Sequence, residues 1–159
     1  MGGEIEARLK SLGYELPPAP PAVANYVPYV VSGDLLYVSG QLSKAADGSM
    51  ITGRLGSGPG AGLTIEDGYE AARLSALNIL AQAKAALGDL GRISQVLRLN
   101  GFVAASADFT EHPKVVNGAS DLIGSVLADA GKHTRVAVGV PSLPMNAAVE
   151  VDAVMRIRG

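Results

Sequence analysis

Between residues 149 and 158 the chain alternates strictly. Val149, Val151, Ala153, Met155 and Ile157 take one parity; Glu150, Asp152, Arg156 and Arg158 take the other, with Val154 the single apolar residue among them. Successive side chains of a strand point to opposite faces, so this spacing specifies a strand over 148–157 with one buried and one polar face. A second strand is expected over 135–140, where Val136, Val138 and Val140 alternate with Arg135, Ala137 and Gly139. Turning the valines towards the core leaves Arg135 on the outward face together with Glu150. The link Pro141-Ser142-Leu143-Pro144 suits an antiparallel pair, which would bring the two charges into one neighbourhood. A guanidinium is the natural fork for a carboxylate ligand, and a nearby Glu can position or deprotonate a water. Spacing alone also supports a plain cross-strand ion pair on a solvated face, and that is the heavier of the two readings.

The remaining elements follow from periodicity and punctuation. Ile5, Leu9 and Leu12 predict a short helix over 5–12, stopped by Gly13, and Pro17-Pro18-Ala19-Pro20-Pro21 then enforces an extended connector. Residues 26–31 and 35–38 read as a hairpin turning at Ser32-Gly33-Asp34, the second run ending at Ser39-Gly40-Gln41. Asp47-Gly48 marks a turn before a short strand at 50–52, and 55–62 is a Gly-rich loop. Thr64 with Asp67 is an Asp form of the capping box. It opens a helix whose stripe runs Tyr69, Ala72, Ala76, Ile79, Ala83 and Leu87 to a stop at Gly88. A strand over 93–104 and a helix over 113–130, closed by Gly131, complete the order β-β-β-α-β-α-β-β behind a leading helix. With no repeat and no second composition regime, this is an α+β chain. Residues 1–25 form the N-terminal helix and proline-rich connector, and 26–159 a single domain.

Composition narrows the function classes. The 159 residues are 48% hydrophobic and only 18% charged, below the roughly 25% of ordinary soluble domains. Disorder is excluded by the apolar content, and no window approaches about 18 uninterrupted apolar residues, so no membrane helix is expected. The apolar surplus is read as hidden subunit interface. The absence of cysteine removes disulfides, thiolate chemistry and Cys-ligated metal. A net charge of −2 counts against a broad phosphate-binding surface. Residues 1–10 lack the apolar stretch of a signal peptide, which leaves a cytoplasmic address as the default. The Gly-rich loop lacks the Lys and Ser/Thr of a phosphate-binding loop. His112 and His133, at opposite ends of a helix, have no spacing to further ligands and read as solvent-facing or capping.

Three pieces then stand out together: Ser39-Gly40-Gln41 after the hairpin; Val116-Asn117-Gly118-Ala119 in the second helix; and Arg135 followed by Leu143-Pro144 and Val149-Glu150-Val151. In this order, over roughly 26–157, the chain resembles the Rid (YjgF-type) family of enamine/imine deaminases, in a longer and less characterised branch. The resemblance implies a chorismate-mutase-like (bacillus-type) α+β fold, with two helices packed on one face of the sheet. It further implies a homotrimeric barrel with sites in inter-subunit clefts, and neither metal nor cofactor. It assigns carboxylate clamping to Arg135, a backbone N–H donor to Gly40 with Ser39 beside it, pocket lining to Asn117 and Tyr26, and water positioning to Glu150. Ala137 stands where the deaminases often carry Cys, which widens the pocket. The implied reaction is hydrolysis of 2-aminoacrylate-type imino acids to 2-keto acids and ammonia. The alternatives are a non-catalytic sensor of small carboxylates or keto acids and, more remotely, the endoribonuclease activity attached to the L-PSP label. The acidic balance argues against the last.

Overall fold

The computed structural model describes residues 3–159. Its elements run α1 (Glu4–Ser11), β1 (Tyr29–Ser32), β2 (Leu35–Leu42), β3 (Arg54–Leu55), β4 (Ala61–Leu63), α2 (Ile65–Leu87), β5 (Ile93–Ala104), α3 (His112–Leu127), β6 (Thr134–Val140) and β7 (Val149–Ile157). The main sheet has the order β1-β2-β7-β5-β6, antiparallel except for β5 with β6. Both long helices lie on one face of it. The apolar parity of β7 joins Leu36, Val38, Leu99 and Val103 beneath the small-residue stripe of α2 and the Val115–Ile123 region of α3, forming the core. The fold is α+β and chorismate-mutase-like, as expected. No helix among the described residues is long and apolar enough to cross a membrane.

Local signals set the helices. Thr64 Oγ1 accepts from the Asp67 amide at 3.1 Å while Asp67 Oδ2 accepts from the Thr64 amide at 2.9 Å, so the box closes as predicted, and Gly88 ends α2 at φ 77°. The two helices approach so closely at Gly118 that a methyl group there would overlap the Tyr69 carbonyl. Helix α1 adds Leu9, 2% exposed, to the same core. Arg8 Nη1 bonds the Val126 carbonyl at 2.9 Å, and Lys84 pairs with Glu6 at 2.7 Å.

Several expectations need correction. The first strand starts at Tyr29 rather than Tyr26, because Pro28 supplies no N–H and the ladder opens with its carbonyl accepting from Ser39 N at 2.9 Å. The second strand continues through Ser39-Gly40-Gln41 to Leu42 by means of a bulge, in which Ser39 and Gly40, between Val38 and Gln41, face the single residue Asp152 between Ala153 and Val151. Residues 50–52 make only isolated bridges, Lys44 with Met50 and Thr52 with Ala147. Inside the Gly-rich stretch β3 and β4 pair in parallel, with the Arg54 guanidinium bonded to the Pro59 carbonyl.

The largest correction concerns the last strands. β6 and β7 are not neighbours, since β5 lies between them and pairs with both. Helix α3 connects β5 to β6 as a crossover, which demands a parallel partner and takes the slot at one edge of β5. β7 therefore takes the other. The alternation of β6 is real but turned over: Val136 and Val138 are 39% and 44% exposed on the open face, while Arg135, Ala137 and Gly139 lie under α3. At this margin of the sheet the helix leaves room only for small residues and one long side chain that can lie along it. Gly139 abuts the His112 ring, and Arg135 runs beside the helix backbone.

Candidate functional site: two half-sites on one sheet

The residues singled out from sequence gather into two groups. The first sits at the β2 bulge. Ser39 Oγ donates to the Val27 carbonyl at 2.8 Å, which ties the segment carrying half-exposed Tyr26 to the strand. Beside it the Glu150 carboxylate lies directly over Gly40, where any β-carbon would overlap it. Glycine is needed at position 40 for that approach. Glu150 projects from the open face of β7, half-buried, and burial holds its carboxyl above the ordinary carboxylate range, with the charge of Asp152 adding to the effect. Asp152 is itself engaged: its Oδ1 accepts from Asn100 Nδ2 at 2.7 Å, and Asn100 Oδ1 accepts from Arg98 Nε at 3.0 Å. A carboxyl whose proton affinity is raised is suited to proton transfer.

A cleft of about 120 Å³, open to solvent, is lined by Tyr26 and Gly40, by Pro20, Pro21 and Val23 of the proline connector, and by Met145. Two buried amides of α2 hold its irregular walls. Asn78 Nδ2 donates to the carbonyls of Leu42 and Lys44 at 3.1 and 2.9 Å. Gln82 Nε2 donates to Pro20 O at 2.5 Å and lies 3.4 Å from Gln41 Oε1. Backbone carbonyls that leave a regular ladder need such partners when buried. Neither amide was singled out from sequence. The available signal was the polar spacing Ser75, Asn78 and Gln82 within an otherwise Ala-rich helix, all three being buried.

The second group lies at the opposite edge, on the helix side of β6. Arg135 Nη1 donates to Ser120 Oγ at 3.0 Å and Nη2 to the Pro113 carbonyl at 3.2 Å. Asn117, four residues after Pro113 and three before Ser120, falls on the same stripe of α3, exposed. Ala137 follows Arg135 on the same side of the strand. Behind the arginine stands His133, whose Nδ1 is 2.6 Å from the Gly131 carbonyl and whose Nε2 is 2.8 Å from Ser120 Oγ. A carbonyl only accepts, so Nδ1 carries the hydrogen, Nε2 accepts from the Ser120 hydroxyl, and Ser120 Oγ accepts from Arg135. His133 therefore fulfils the capping alternative expected from sequence, bonding the last carbonyl of the helical segment that follows α3, and it also anchors the hydroxyl that holds the arginine.

Arg135 and Glu150 do not meet within one chain. Arg135 stands opposite Leu99, which stands opposite Ala153, three residues along β7 from Glu150. Two strand spacings and three residues of rise put their backbones on the order of 14 Å apart, with the side chains on opposite faces. The first group holds four of the residues that the resemblance assigns to a pocket, Tyr26, Ser39, Gly40 and Glu150, and the second holds Asn117, Arg135 and Ala137.

A family model described as "YjgF/chorismate_mutase-like, putative endoribonuclease" matches residues 6–155. Protein TCP17 of Trypanosoma cruzi is 51% identical over 156 residues, which are 98% of this chain and 95% of that protein. The crystal structure of Atu1372, a protein of unknown function from Agrobacterium tumefaciens, is similar with a TM-score of 0.86 at 51% identity, over 97% of this chain and 94% of that one. A second crystal structure, from Shewanella oneidensis, gives a TM-score of 0.90 at 38% identity, over 96% and 99% of the two chains. A family model spanning nearly the whole sheet-and-helix unit, a half-identical relative and the bulged β2 under two helices agree: the chain belongs to the YjgF (Rid) family.

Proposed function

We propose that this chain hydrolyses reactive 2-imino acids, and the enamines in equilibrium with them, to 2-keto acids and ammonia. The reaction takes place where the Arg135 edge of one copy meets the Gly40–Glu150 edge of another in a homotrimer. The observation that supports this reading is the separation of the candidate residues into two groups, one at the β2–β7 pair and one at the β6 edge, on opposite faces of one sheet, which a second copy would bring together. The open face supports it, since Tyr37, Val136 and Val138 are exposed there on a chain already poor in charge.

The chemistry asks little of the protein. The enamine first takes a proton on carbon and becomes the imine. Arg135 holds the substrate carboxylate by a two-pronged charge-assisted contact, fixing C2 beside Gly40. Water adds to C2 as the C=N pair moves to nitrogen, with Glu150 accepting a proton from the water. The same carboxyl then returns that proton to the nitrogen, and as the C–N bond breaks the carbinolamine hydroxyl passes its own proton to the departing nitrogen, so that ammonia leaves as the carbonyl forms. Water supplies the oxygen, and no electrons are gained or lost. The test is keto-acid release from 2-aminoacrylate generated in situ. Acceleration by the purified chain and its loss in Arg135→Ala are expected; equal rates with and without protein would overturn the reading.

A further inference from the structure

We infer that the proline connector and Met145 make the cleft beside Gly40 a side-chain pocket for 2-imino or 2-keto acids with branched or otherwise extended apolar side chains. A three-carbon acid would leave it unfilled. The inference rests on the reading above for the position of the reacting carbon and goes beyond it in naming the substrate class.

Three features of the cleft lead there. The first is its continuity with the reacting end: it begins at Gly40, under Glu150, and extends away beneath residues 20–23. Its volume of about 120 Å³ exceeds what a methyl or methylene substituent would occupy. The second is that the two amide side chains in its lining are already committed, which leaves the Tyr26 hydroxyl and the Lys44 ammonium as its only uncommitted polar side-chain groups among the described residues. The amide of Gln41 bonds Ser39 O at 2.9 Å, and that of Asn78 is spent on Leu42 and Lys44. Apart from those two groups, what faces a ligand is mainly the apolar surface of Pro20, Pro21, Val23, Leu42 and Met145. The third is that this wall is built to be rigid and exposed. The prolines fix their own backbone, and Gln82 pins Pro20 from beneath. Met145 is held at φ 57° and ψ 23°, followed by Asn146 at φ 60°. Two consecutive non-glycine residues in the left-handed region carry strain, which the surrounding structure must impose. The conformation leaves the Met145 thioether chain 65% exposed at the cleft, opposite Val23 at 80%. A flexible thioether is well suited to closing on variable apolar groups.

The experiment measures binding and turnover separately. Calorimetric titration of the purified chain with 4-methyl-2-oxopentanoate and with pyruvate reads the pocket without requiring catalysis. Each buried methylene strengthens binding several-fold, so the longer acid is expected to bind at least about tenfold tighter. Val23→Asp and Met145→Asp place a charge on the apolar wall and are expected to bring that ratio towards one. Both residues are exposed, so the variants should fold, which circular dichroism checks. Equal affinity of the wild type for the two acids, no affinity for either, or an unchanged ratio in both variants would overturn the inference. Loss of the deaminase reading shows elsewhere, as the absence of Arg135-dependent turnover of any imine.

Discussion

Gly40 and Glu150 show how one side chain's absence sets another's chemistry. The glycine lets the carboxyl rest on the bulged backbone, and burial there raises its proton affinity. Gly40→Ala would push the carboxyl away; turnover is expected to fall by about 10²-fold or more, the scale of a lost general acid–base, with the fold retained by circular dichroism. The raised value also ties stability to pH. Between the ordinary carboxylate value and the raised one, the folded chain keeps a proton that the unfolded chain has released. Stability due to this group therefore falls as pH rises through that window. Glu150→Gln should flatten this slope in urea titrations at a series of pH values, and should remove the corresponding limb of the rate profile. The arginine half gives a complementary test. Ser120→Ala removes the hydroxyl that joins His133 to Arg135 and should raise KM for the carboxylate substrate more than it lowers kcat. A purely structural serine would change only thermal stability. In the sequence Arg135, Glu150 and Gly40 stand out because their residue types carry chemistry. His133 does not, because its partners Ser120 and Gly131 acquire meaning only when α3 and β6 are packed together.

The elements differ in how far they could be read. Helix α2 is specified locally: cap, stripe and stop all lie within the segment and all hold. The edge strand β6 is not. Its alternation separates two sets of residues but does not say which set faces inwards, because both faces of this sheet bear valines. Strand order was equally hidden, being fixed by the α3 crossover and not by the short Pro-rich link that suggested a hairpin. The bulge escaped because Ser39-Gly40-Gln41 looks like an ending, whereas the extra residue lets β2 continue to Leu42. Helix α2 also carries the connector. Gln82→Ala removes the donor to Pro20 O and leaves that carbonyl and Gln41 Oε1 without it. A loss of about 1–3 kcal/mol is expected in chemical denaturation, the scale of unsatisfied buried polar groups. Gln82→Glu should cost at least as much, since it puts a carboxylate against the same carbonyl.

At the scale of the molecule, the open face decides whether the divided site can work. One face of the sheet is covered by helices, and the other presents Tyr37, Val136 and Val138 around a small polar network of Arg98, Asn100 and Asp152. An antiparallel sheet with a solvated face ordinarily alternates apolar-in and polar-out; β7 obeys this and β6 does not. Covering that face with further copies would remove its apolar area from water at roughly 25 cal/mol per Å². In the homotrimer proposed above, the same packing is expected to set the Arg135 group of one copy against the Gly40–Glu150 group of another. Light scattering after size exclusion should then give about three times the chain mass of 16.2 kDa. A Val136→Lys, Val138→Lys pair would put two charges on the covered face without touching Arg135, the cleft or the helix-side core. Dissociation and loss of turnover are expected to occur together, with secondary structure unchanged. Mixing this double variant with Arg135→Ala chains should restore little activity if both copies must seat on the valine face. A monomer with full activity would overturn the shared-site reading, because a single chain leaves its arginine and its glutamate on opposite sides of the sheet.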